Sequence, residues 1–382
     1  MKYLIVTLTA IFLLSSCSHE EKEEGAIAIE INPAKVNNDG FSEHYKLDKL
    51  IRLKNHPESY FGDARKIIIS NDKIYIHPWG QARVIIFDIK GRFIGKIENY
   101  GRGPGEFTYV VDISVSSGGD TICLYEKNLK QFMYYNLQGK FLYSIETPVD
   151  LESFSVLPGG NIAGYSFLNR VPELQGHHYR LWLIGPGGEI IDGRLPVKPY
   201  YLGNSIGLSS SFHQNSEGLF FIPYTGNMIY EINCDSIQLH PRYYLDLLDN
   251  TIPADLLELP VNEMQDIFFK ESYIPYGEII GSKYILVKFL SRKATAPLAA
   301  IIDRRDHSYS LFDTKYITDS KNDLSLHIVQ QYFDGQSGKL IALIPPHSLH
   351  DYDHTDQDSH GYKLSKELSD TDNPLIAIYS EK

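Results

Sequence analysis

Apolar residues along this chain fall in short runs, most of them alternating with polar or β-branched positions and bounded by glycine, asparagine and aspartate. This is the pattern of strands joined by tight turns. A pair of strands around a glycine turn recurs: Val84 to Ile94 about Gly91, Phe132 to Leu142 about Gly139, and Tyr179 to Ile191 about Gly188. The turn glycines stand 48 and then 49 residues apart, a period that belongs to propeller blades.

Two further strands precede each hairpin. In the first repeat they are Arg65 to Ser70 and Lys73 to His77, and in the second Tyr109 to Val115 and Thr121 to Tyr125. Weaker copies give a fourth outer hairpin (Asn227 to Asn233 with Ser236 to His240) and a fifth (Leu298 to Arg304 with Ser308 to Asp313). A sixth repeat starts with Leu326 to Tyr332 and Lys339 to Ile344, and its third strand is Pro374 to Ser380. There the chain ends one strand short, so Leu47 to Leu53 is expected to supply the missing outer strand and close the ring. The predicted fold is all-β, a six-bladed propeller of four-stranded antiparallel blades closed by pairing of its N- and C-terminal segments. Two stretches interrupt the repeat: Thr251 to Phe269, expected as a short helical insertion, and Pro345 to Asn373, expected as a mobile, solvated insertion over the propeller face.

The N-terminus bears on location. Met1-Lys2, the apolar run Tyr3 to Leu14 and then Leu14-Ser15-Ser16-Cys17 form a lipobox pattern that resembles the bacterial lipoprotein signal. The expected division is a signal peptide at 1–16, a lipidated acidic tether and linker at 17–44 beginning with Cys17, and the propeller at 45–382. Ser18 to Glu24 reads either as a solvated spacer or as an acidic address resembling the one that carries some lipoproteins to the cell surface. The expected location is therefore extracytoplasmic, anchored by lipid to the outer membrane. A net charge of −12 without a basic stripe excludes nucleic acid as a partner. Cys123 and Cys234 fall in non-adjacent blades and are expected to be free thiols.

Gly101-Arg102-Gly103-Pro104-Gly105-Glu106-Phe107, the glycine-turn hairpins and the closing Asp372 to Tyr379 together resemble the six-bladed β-propeller lipoproteins of bacteria, relatives of NHL-repeat propellers, over nearly all of the mature chain. The resemblance implies the fold and an extracytoplasmic site of action; most members of that family have no assigned activity.

The glycine-rich stretch 101–105 leads into a strand, not a helix, so it is a crossover between blades and no nucleotide is expected. Arg102 and Glu106 on that crossover share a face with the loops that follow each second strand. His77, Trp79, Lys127, Tyr224 and Asn227 in those loops are candidates for binding a glycan, a peptide or a partner protein. The competing reading of the aromatics is packing between blades. His347, His350, Asp353 and His354 have the residue types of metal ligands, but their spacing fits no zinc or calcium motif. No cofactor is predicted, no catalytic residue stands out, and no Gly-x-Ser-x-Gly elbow is present. The alternative to binding is a lyase- or lactonase-type enzyme with a divalent metal on the propeller axis, as the NHL resemblance implies.

Overall fold

The computed structural model describes residues 22–382 except 38–39, 117–119, 167–177, 198–211, 216, 224–225, 235–237, 252–272, 292–296, 314–316, 329, 334–337 and 355. Six sheets of four or five strands make the six blades of a propeller. The first runs Ala64–Ser70, Lys73–Pro78, Val84–Asp88 and Phe93–Ile97 from axis to rim, and the second Val110–Val115, Thr121–Glu126, Gln131–Asn136 and Phe141–Glu146. The expected insertion at Thr251 to Phe269 lies, beyond Thr251 itself, outside the described residues.

Each blade is apolar on both faces, which is why its strands read as near-continuous hydrophobic runs. Ile67, Ile69, Ile74, Ile76, Ile85 and Phe87 face the sixth blade, while the residues between them, Ile68, Tyr75, Val84 and Ile86, face the second. The two-residue period of a strand thus feeds two separate cores. Among the described residues, six apolar clusters fill the six gaps between neighbouring blades. The turn glycines sit where one blade's outer hairpin abuts the blade before it. Gly91 has φ +77°, and a β-carbon there would lie 2.1 Å from the Arg52 carbonyl oxygen. Gly188 stands in the same relation to Glu146.

Closure of the ring is as expected. Tyr45–Arg52 pairs antiparallel with Leu375–Glu381, with Leu50 opposite Ala377 and Ile51 opposite Ile376. The start of the sixth blade departs from expectation. The run that reads as one strand, Leu326 to Tyr332, is divided between two sheets. Leu324–Ile328 pairs with Lys339–Ile344, whereas Gln330–Phe333 runs parallel to the inner strand of the first blade. The side chain of Gln331 fills the break. Its amide donates to the Ile341 carbonyl at 3.3 Å and its oxygen accepts from the Ile341 amide, so one side chain replaces a missing rung of the ladder. In the fourth blade the outer strand is Leu239–Asp246, further along than the expected Ser236 to His240.

Two other segments also differ from expectation. Pro345 to Asn373 carries two short helices, Pro346–His350 and His360–Glu367. Leu349 and Leu368 are buried against the sixth blade with Leu364 packed beside them, and Ser359 caps the second helix by accepting from the Tyr362 amide at 3.1 Å. The insertion is docked rather than solvated. The described part of residues 17–44, expected as tether and linker, is built into the rim from Glu23 onward. Ile27–Glu30 adds a parallel fifth strand to the fourth blade, Asn32 and Asn37 bond to Tyr309 and Leu311 of the fifth, and Phe41 is buried against Tyr379 of the sixth.

Replacing Gln331 with leucine keeps the volume but orphans the buried amide and carbonyl of Ile341. Each orphaned group costs on the order of 1–3 kcal/mol, so the urea midpoint of Gln331→Leu is expected to fall clearly below that of the parent. An unchanged midpoint would show that the side-chain rung is dispensable.

Candidate functional site

Strand polarity sets which loops share a face. Inner strands begin where the crossovers arrive, and the loops after second strands return to the same end: the Trp79 amide donates to the Asp63 carbonyl at 3.0 Å, and the Lys127 amide to the Tyr109 carbonyl at 3.0 Å. The crossover Gly101 to Phe107 opens onto this face.

On the axis, the inner strands of three blades meet at a buried ion pair. Lys66 Nζ donates to Asp112 Oδ1 at 2.9 Å, Asp112 Oδ1 also accepts from the Ile113 amide at 2.8 Å, and Oδ2 accepts from the Phe154 amide at 3.0 Å. Both side chains are nine-tenths or more buried. The carboxylate thus has a cation and two amides in place of water. Lys66, Ser114, Ser155, Gln214 and Gln331 line a small cavity that opens to solvent, over an apolar wall that includes Phe154 and Phe212. Among the described residues, no three His, Cys, Asp or Glu side chains are gathered as metal ligands.

The glycine-rich crossover uses its own polar groups. Gly103 donates its amide to Glu106 Oε2 at 2.8 Å, Glu106 donates to the Gly103 carbonyl at 2.9 Å, and Tyr135 donates its hydroxyl to the Gly105 carbonyl at 3.0 Å. Glu106 is therefore engaged inside the loop, and Arg102 is exposed beside it. Glu126 does similar work next door. It accepts from Thr108, Tyr109 and Leu129, and although burial alone would raise its pKa, these hydrogen bonds hold it below the usual carboxylate range.

The sequence-predicted candidates separate on this face. His77 is 1% exposed, and burial, followed by the charges of Arg65 and Lys66, pushes it down to about 3, so it is a neutral core residue. Trp79 is 49% exposed with the Arg65 guanidinium 5.6 Å from its ring centre, and Arg65 reaches across to the Glu152 carbonyl at 3.4 Å. Lys127 is paired with Glu152 and lies 3.7 Å from Asp150. Asn227 is fully buried, its carbonyl accepting from Leu245 at 2.8 Å, and Tyr224 lies outside the described residues. Of the histidine-rich segment, His347 and Asp353 are exposed. His350 bonds to Asp370 at 2.6 Å and to the carbonyls of Ser365 and Leu368, and His354 turns Nε2 onto the Leu349 carbonyl at 2.7 Å. These two rings brace the docked helices.

Sequence reasoning missed three tyrosines on the same face. Tyr60 precedes the first inner strand, and Tyr100 and Tyr109 flank the crossover; they are 45%, 78% and 46% exposed. Aromatic residues on both sides of a surface loop are the signal that could have found them. With Trp79 they make four exposed aromatics on the loops of the first two blades, of which Trp79 stands against Arg65 and the Tyr109 carbonyl accepts from the amide of Lys127, the partner of Glu152. Asp63 and His327, 3.2 Å apart, add a polar pair between the first and sixth blades.

Fold and face together define a six-bladed β-propeller with an aromatic, charge-flanked loop surface. Residues 27–380 match the model of DUF4934, a domain of unknown function, and the chain belongs to that family. No curated protein matches it. Among solved structures it is similar to a "Putative exported protein" from Bacteroides fragilis NCTC 9343, with a TM-score of 0.75 at 16% identity, covering 93% of this chain and 100% of that one. It is also similar to a member of the DUF4221 family from Bacteroides vulgatus ATCC 8482, with a TM-score of 0.56 at 13% identity over 88% of this chain and 98% of that one. Both likenesses concern the fold.

Breaking the axial pair leaves a buried charge alone. Lys66→Met is expected to destabilise the propeller by about 3–5 kcal/mol. Thermal and urea unfolding check this, and full stability would mean that water already carries the charge of Asp112.

Proposed function

We propose that this protein is an exported lipoprotein, held to a membrane through Cys17, that binds an extracellular glycan on the crossover face of its first two blades. The observation that carries the reading is a pair of exposed aromatics beside groups that can hydrogen-bond hydroxyls. Trp79 stands against Arg65, which reaches the Glu152 carbonyl, and the Tyr109 carbonyl accepts from the amide of Lys127, whose side chain pairs with Glu152. Tyr60 and Tyr100 are exposed on the loops leading into the first and second blades. A sugar ring presents an apolar face and a polar edge, and a flat aromatic next to fixed charges matches both. Export is supported by the lipobox and by the name of the Bacteroides fragilis structure. No described helix is long and apolar enough to cross a membrane.

Binding is favoured over a metal-dependent lyase or lactonase by what occupies the axis. A divalent cation there would lie beside the Lys66 ammonium, and Asp112 already spends both oxygens on that ammonium and two amides. A screen of the purified mature domain by thermal shift, with glycans, peptides and divalent metals in separate arms, tests the choice, because a ligand selective for the native state raises its apparent stability. A glycan is expected to give the shift, and Trp79→Ala, which removes an exposed ring, is expected to weaken that glycan about tenfold or more while leaving the unfolding temperature of the free protein nearly unchanged. A shift with peptides alone would transfer the face to a peptide ligand, and a shift with metal alone would favour the enzyme.

The anchor is tested separately. Cys17→Ala is expected to move the protein from the membrane fraction to the soluble one, or to leave it unprocessed; normal processing with full membrane retention would refute lipidation.

A further inference from the structure

The N-terminal segment leaves the propeller at its circumference, which bears on how the ring meets a lipid surface. From Phe41 backwards the chain runs as a belt along the rim. His44 Nε2 lies 3.1 Å from the Ser310 hydroxyl of the fifth blade's outer strand, Tyr309–Asp313. The Asn37 amide donates to the Leu311 carbonyl at 3.0 Å, and the Asn32 amide to the Tyr309 hydroxyl at 2.9 Å. Ile31 and Ile29 are buried between the fourth and fifth blades, and Ile27–Glu30 is paired along the fourth. Ala26 is buried where the third and fourth blades meet, among Leu157, Leu181 and Tyr244. Tyr230 then donates its hydroxyl to Glu23 Oε1 at 2.6 Å.

The belt is therefore fixed up to Glu23, six residues after Cys17. Six residues span at most ~20 Å when fully extended. Eight strands across the axis, spaced ~4.8 Å, make the ring on the order of 40 Å wide. The tether is shorter than the ring it holds.

We infer that the rim formed by the third and fourth blades is a membrane-facing surface, so that the propeller stands edge-down on the bilayer with its first blade outermost. This rests on the lipid attachment of Cys17 proposed above. The aromatic face over the first and second blades then stands clear of the lipid, open to ligands from outside. Through Tyr230, the acidic residue Glu23 is part of the seat of the anchor, in addition to any sorting role.

The test uses the lipidated full chain reconstituted in phosphatidylcholine vesicles carrying nitroxide-headgroup lipid, with Cys234→Ser in the background; Cys123 is buried and stays. A fluorophore is placed at His240→Cys, exposed on the fourth blade's outer strand, or at Ile94→Cys, exposed on that of the first. Quenching is expected to be at least threefold stronger at position 240. Inserting about twenty glycine and serine residues after Ser18 is expected to erase the difference while the protein still floats with the vesicles. Equal quenching at both positions in floating protein would overturn the edge-down orientation and leave lipidation standing. Failure to float would overturn lipidation, and the orientation with it.

Discussion

Everything in this structure depends on the ring being closed. A blade with two apolar faces cannot be stable alone, because each face needs a neighbour, and a row of such blades leaves two faces bare unless the last meets the first. The sixth blade carries that burden and is assembled from both ends of the chain. Leu375–Glu381 lies between Lys339–Ile344 and Tyr45–Arg52, so neither of its edges is free. The apolar faces that result are shared: Ile341, Leu343, Ile376 and Ile378 pack with Ile67, Ile69 and Ile74 of the first blade.

Closure also has to be accomplished in backbone hydrogen bonds, and here the molecule departs from a regular propeller. Gln330–Phe333 pairs with the first blade in parallel, which draws the chain away from Lys339–Ile344 beyond the Ile328–Ala342 pair. The Gln331 amide has a donor and an acceptor at about the spacing of a peptide group, so it can bond both polar groups of Ile341 where an apolar side chain could bond neither. The belt that starts at Glu23 secures the same region from outside, its described residues reaching the fourth, fifth and sixth blades. Inner crossover and outer belt both bridge blades close to the place where the ring closes.

Much of the fold was legible because blades one to three keep a strict spacing of hairpin glycines, and a glycine is required where a hairpin touches the preceding blade's backbone, as at Gly91 and Gly188. Closure was legible by strand count. The split of Leu326 to Tyr332 was hidden because a continuous strand-like run carries no mark of which sheet each half joins; the polar pair Gln330-Gln331 was the clue within it. The fourth outer strand was misplaced because Pro241 and the polar residues around it hide a strand that begins only at Leu239. Abundant histidine and aspartate concealed the docked helices, whose hold is Leu349, Leu364 and Leu368. On the face, the exposure of Trp79 was legible because an aromatic in a turn has few packing partners nearby in sequence. His77 could not be told from a surface histidine, since its neighbours in sequence do not show that it lies beneath Arg65 and Lys66.

The distribution of satisfied and unsatisfied chemistry then separates axis from face. On the axis the strongest charges are consumed by the protein: Asp112 ties three inner strands together and Lys66 neutralises it, an arrangement whose removal would be felt as lost stability. The crossover carboxylates follow the same logic, Glu106 and Glu126 each closing a turn on backbone amides. What the face leaves uncommitted is apolar surface that water covers poorly, the rings of Trp79, Tyr60, Tyr100 and Tyr109. Exposed aromatic area of this extent contributes nothing to folding and is unfavourable in water. In the proposed reading a glycan covers these rings, and Arg65, Lys127 and Glu152 meet its hydroxyls.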